Sequence, residues 1–159
     1  MKMLKKALIV LMALVMLCAC GGGKAPAQQP QPDVAELADQ MLASVVLEDE
    51  LMSIDTAVMG NLYEYDADSI AQAAVYTSST MSTPEEIAVF KAADEDSVKY
   101  VEEMVKLRLQ NLEFSYADYA PLEMPKIENA KIMTKGLYTA LVVCGDPAPA
   151  QDVFEKAFS

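Results

Sequence analysis

The sequence predicts an α+β fold: a single small domain in which two antiparallel β-hairpins form about a four-stranded sheet with helices packed on it. Helical spacing of apolar residues marks the long stretches, and short β-rich runs lie between them. Polar or glycine-containing connections join those runs in pairs. The expected order over residues 33–159 is helix, hairpin, helix, hairpin, helix.

The first helix opens at Asp33, with Glu36 three residues on in a start resembling a capping box. Val34, Leu37, Ala38, Met41, Leu42 and Val45 then fall on one helical face. From Leu51 to Tyr65 the pattern is looser, and Asp55 is placed to cap a short helical turn carrying Val58, Met59 and Leu62. "IAQAAVYTS", from Ile70, reads as a strand with Val75 and Tyr76 on opposite faces. The polar run "SSTMST" connects it to a second strand, "EIAVFKA", Glu86 to Ala92.

A long helix follows, capped near Asp94 or Asp96. Its apolar stripe is Val98, Val101, Val105, Leu109 and Leu112, and Lys99/Glu103 and Glu102/Lys106 are exposed pairs one turn apart. Pro121 ends whatever helix remains. "KIENAKIMT" and "LYTALVVCG" flank a tight turn at Lys135-Gly136 and form the second hairpin. Asp146 then caps a terminal helix with Pro147 at its first position, and Val153, Phe154 and Ala157 give it a core face.

What precedes residue 33 is of another kind. Lys2, Lys5 and Lys6 form a positive start, and Ala7 to Ala19 is an apolar run of 13 residues, which suits an export signal and is too short to span a bilayer. Residues 1–19 are therefore expected to be a signal peptide. The ending "LCAC" resembles the bacterial lipobox. With Cys20 as lipid acceptor, Leu17, Cys18 and Ala19 occupy the three preceding positions; with Cys18 as acceptor, bulky Leu17 falls where a small residue is needed. Cys20 is the expected lipidation site. A redox or metal-binding reading of the Cys18–Cys20 pair lacks further ligands in the chain. Two acyl chains, at about 0.8 kcal/mol per buried methylene, make an anchor on the order of 20 kcal/mol. Residues 20–32 comprise that cysteine and a Gly/Pro/Gln linker, reaching at most roughly 37 Å.

Removing the three leader lysines leaves 9 cations against 24 acidic residues, a net charge of −15 over residues 20–159. Such a chain is unsuited to nucleic acid, and like charge repels it from anionic lipid, so its contact with the membrane is expected through the lipid alone. Cys144 has no partner within the domain and is expected to act as a small buried hydrophobe.

There is no histidine, which removes Ser-His-Asp, Cys-His and HExxH chemistry, and no tryptophan. The only glycine cluster, Gly21 to Gly23, lies in the linker. The acidic clusters at Asp66 and Asp94 fail the calcium-hand spacing, since their fifth positions are Ile70 and Val98, and fit turns and caps instead. The hydroxyl-rich "TSSTMST" lacks a Ser-x-x-Lys spacing and reads as a loop. No cofactor and no metal site are expected. Tyr63, Tyr65, Tyr76, Tyr116 and Tyr119 fit either the margins of the core or a recognition surface. Arg108, the one arginine, borders the apolar stripe of the long helix, where a guanidinium fork is expected to hold an internal carboxylate or carbonyl.

The elements "EIAVFKA", "RLQ" at Arg108 to Gln110, "YAP" at Tyr119 to Pro121 and "KGLYTALVV" at Lys135 to Val143 together resemble a family of small bacterial lipoproteins that share domain of unknown function 4358, over roughly Ala35 to Phe158. The resemblance implies a lipid-anchored extracytoplasmic protein, and it brings no catalytic residue. The expected role is a non-catalytic binding or accessory domain at the cell membrane, with a protein or small ligand as partner. The alternative is a hydrolase that works with carboxylates alone.

Overall fold

The computed structural model describes residues 30–159, and the expected signal peptide, Cys20 and most of the linker lie outside the described residues. Asp33 accepts a hydrogen bond from the Glu36 amide at 3.0 Å and starts α1, Val34–Ser44, whose buried face is Val34, Leu37, Ala38 and Met41. The helix stops at Ser44, so Val45 is extended rather than helical.

Residues 51–53 depart from expectation. Leu51–Ser53 is a strand, β1, in a stretch that reads as irregular or helical in sequence. Three residues are too few to show a period. What makes them a strand is the neighbouring chain: the Ser79 amide donates to the Glu50 carbonyl and the Ile54 amide to the Val75 carbonyl, each at 2.9 Å. The short helix α2, Thr56–Met59, forms as expected, with Asp55 accepting from the Ala57 amide at 2.7 Å.

The first hairpin consists of β2, Ile70–Ser78, and β3, Glu86–Ala92, with a bulge between Ile70 and Gln72. Asp94 accepts from both the amide and the hydroxyl of Ser97, closing the turn before α3, Val98–Tyr119. A 3-10 turn at Pro121–Glu123 and α4, Met124–Glu128, follow. Here "KIENAKIMT" is corrected: Lys126 to Glu128 are helical, and β4 begins only at Lys131, running to Lys135. Ile127 is buried against the core under α3, so the tertiary contact overrides the apparent strand pattern. Gly136, at φ 56°, turns the chain into β5, Tyr138–Val143. Asp146 accepts from the Ala148 amide, and α5 spans Ala148–Lys156, one residue later than the sequence implies.

The sheet is antiparallel and five-stranded, not four-stranded, in the order β1-β2-β3-β5-β4. β3 pairs with β5, Glu86 opposite Val143 and Lys91 opposite Tyr138, which joins the two hairpins. One sheet face packs under α3 around Val75, Phe90, Val105 and Leu141. The other packs under α1 and α5 around Leu37, Met41, Val89 and Phe154. Covered on both faces, β5 is buried at all six positions, which is why its sequence is a nearly continuous apolar run.

Candidate functional site

α3 lies chiefly over β5, β3 and β4. A five-stranded sheet is wider than one helix, so the β1–β2 side of that face is left partly open. The result is a groove of about 570 Å³. The sheet contributes Met52 and Thr77, and Ile54 follows directly after β1; α2 and its exit contribute Val58 and Leu62; α3 contributes Arg108, Leu112, Tyr116 and Tyr119. The 79–84 loop supplies the hydroxyl-bearing rim through Ser79, Thr80 and Thr83. Met52 and Val58 are each 49% exposed and Tyr119 is 74% exposed, so large apolar surface stays in contact with water at this site.

The loop is held in one shape. The Tyr116 hydroxyl reaches the carbonyls of Met81 at 3.0 Å and Thr83 at 2.6 Å. Asp49 accepts from the Ser78 hydroxyl and from the Thr80 amide and hydroxyl, the latter at 2.6 Å, and these bonds hold its carboxyl below the ordinary range. Met81 has a φ of 56°, a conformation a non-glycine residue adopts only when its surroundings fix it.

Beneath the groove, Glu86 is fully buried. Arg108 grips it with Nε at 3.1 Å from both carboxylate oxygens and Nη2 at 2.5 Å from Oε2. The Tyr63 hydroxyl donates to the same carboxylate, and the Arg108 guanidinium stacks 5.7 Å from the Tyr63 ring centroid. Arg108 thus has the internal carboxylate partner expected of it. Burial opposes the guanidinium charge, but the hydrogen bonds and charge of Glu86 outweigh it and raise Arg108 above its ordinary value. Burial and then the Glu86 charge push Tyr63 well above the usual tyrosine range.

Glu85 serves a separate network. Its carboxylate accepts from the amides of Glu48 and Asp49 at 2.9–3.1 Å and from the Thr83 hydroxyl at 3.2 Å. Lys126 lies 3.6 Å from it and also pairs with Glu48 and Glu123. Both buried glutamates are therefore engaged, and neither lines the groove. In sequence they show only as two charges heading an apolar strand, and that was the available signal.

The tyrosines do not form one surface. Tyr116 and Tyr119 line the groove, Tyr63 is core, and Tyr76 bonds Asp39 on the other side of the sheet. Asp66 closes a turn with the Asp68 amide and Ser69 hydroxyl. Cys144 is buried, and burial pushes its thiol up to about 11. Among the described residues, no helix is long and apolar enough to cross a membrane.

The family model described as Domain of unknown function (DUF4358) matches residues 43–144. The chain belongs to this family. The match runs from the end of α1 to Cys144 and takes in all five strands, α3 and the whole groove, while most of α1 and all of α5 lie outside it. The resemblance read from sequence, Ala35 to Phe158, is thus wider than the matched domain. No curated protein and no solved structure matches the chain.

Proposed function

We propose that the protein is a non-catalytic binding or accessory domain, tethered outside the cytoplasm by a lipid on Cys20, and that it binds its partner in the groove between β1, α2 and α3. The observation that carries this is composition at one place. In a chain of net charge −12, the described groove lining has no carboxylate and no lysine, and its exposed residues are Met, Val, Tyr, hydroxyl-bearing side chains and one asparagine, Asn61. Charge-poor centres rich in aromatic residues and Met are what interface cores look like. The volume falls within the roughly 300–1,000 Å³ of ligand sites.

The hydrolase reading draws less support, because the buried carboxylates are consumed by Arg108, Tyr63 and Lys126 and none faces the groove. The linker contact supports an outward-facing groove. Lys91 donates to Gln31 and the Tyr138 hydroxyl to the Pro32 carbonyl, so the tether meets the domain at one end of β3. The groove lies toward the Glu86 end, on the order of 20 Å away along the strand.

The test is a photo-crosslinking amino acid placed at Met52 or Tyr119 in living cells, with Lys99 on the exposed face of α3 as control. Capture of one defined partner from the groove positions, lost when Val58→Lys is added, is the expected result. Equal capture from the control position contradicts the reading.

A further inference from the structure

We propose that the occupant of this groove is an extended peptide segment of a partner protein, apolar in its middle and basic at both ends, which adds to β1 as a sixth strand. This rests on the groove-binding reading above and names the ligand for the same site.

The backbone of β1 is the first observation. Glu50 and Ile54 bond toward β2, and Met52 sits opposite Thr77 in register with them. By the alternation of an antiparallel ladder, the N–H and C=O groups of Leu51 and Ser53 point away from β2. β1 is the outermost strand on this side of the sheet and pairs with β2 alone among the described residues, so these groups form a short open template for strand addition. The other sheet edge, β4, differs: it carries Lys131 and Lys135 at its two ends, a common way to discourage pairing.

The second observation is what flanks the edge. Met52 and Ile54 turn toward the groove, so alternate side chains of an added strand on that face meet an apolar wall. Glu50 precedes β1 and Asp55 follows it, both exposed, while the charge of Glu48 is already met by Lys126 at 3.0 Å. A neutral apolar centre with acid at both ends complements a peptide with the opposite ends. The same acids disfavour a second copy of this chain on the edge, since pairing β1 with itself would bring like charges together.

The probe is a blocked nine-residue peptide of alternating valine and threonine with a lysine pair at each end, titrated into the intact protein in lipid nanodiscs. Amide exchange at Leu51 and Ser53 is expected to slow at least tenfold. A glutamate-flanked version should bind at least tenfold more weakly at low salt, and alternate backbone N-methylation should abolish binding. Ser53→Pro removes one outward donor without touching the β2 ladder and should weaken binding at least tenfold at an unchanged thermal midpoint; the N-methylated peptide supplies the same comparison should that variant fold poorly. Unprotected Leu51 and Ser53, equal affinity for both charge versions, or concentration-dependent protection without peptide (pairing of two copies) each overturn the proposal. If crosslinking at Met52 and Tyr119 still captures a partner while these amides stay unprotected, strand addition falls and groove binding stands. If Val58→Lys leaves that capture intact, the broader reading falls instead.

Discussion

Replacing Arg108 by methionine removes the fork that holds Glu86 and leaves a fully buried carboxylate with the Tyr63 hydroxyl alone. Breaking one side of a buried pair costs about 3–5 kcal/mol, a large share of the roughly 5–15 kcal/mol that stabilises a domain. Arg108→Lys keeps the charge and loses the parallel bonds from Nε and Nη2, a cost of about 1–2 kcal/mol. The partner substitution makes the reasoning specific. With Glu86→Leu added to Arg108→Met, no uncompensated charge remains and only the Tyr63 hydroxyl loses its acceptor, so the double variant should lie about 1–3 kcal/mol below the parent. The two single losses are therefore far from additive, with a coupling on the order of 3 kcal/mol or more. Urea denaturation of the five proteins (parent, Arg108→Met, Arg108→Lys, Glu86→Leu and the double variant), with unchanged slopes, measures all of this. A loss below about 1 kcal/mol for Arg108→Met, or additive single effects, would refute the account.

Cys20→Ser should abolish incorporation of an alkyne fatty acid and Cys18→Ser should not, as metabolic labelling will show; label persisting on the Cys20 variant would contradict the anchor assignment. Stability should fall as pH rises above about 9. Cys144 sits at about 11 against an ordinary 9.0, and Tyr63 lies well above its ordinary 10.0. In each case the unfolded chain gives up its proton first, so the contribution is complete below the unfolded value and is lost on passing above it. Tyr63→Phe should flatten the fall above about pH 10 in urea midpoints taken across the range, and an unchanged slope would remove Tyr63 from the explanation.

Much of the fold was legible because it is local. Asp33, Asp55 and Asp146 mark helix starts through bonds to amides two or three residues away, and Ile70–Ser78 and Glu86–Ala92 announce themselves by β-rich runs bounded by polar residues. Cap and turn chemistry needs only neighbours in the chain, so sequence carries it whole. The acidic balance and the chemistries that the lack of histidine excludes are legible for the same reason, since composition alone carries them.

The pairing of β3 with β5, the presence of β1, and the helical state of Lys126 to Glu128 depend on partners far along the chain, and nothing in those residues alone declares them. Arg108 shows the division within one side chain. Its type and its place beside an apolar stripe indicated a buried fork-like use, yet that Glu86 lies 22 residues away in sequence and under the same helix is a fact of three dimensions. The groove belongs wholly to that second kind. It exists because one helix cannot cover five strands, and its lining comes from β1, α2, the 79–84 loop and α3, segments that meet only after the sheet has closed.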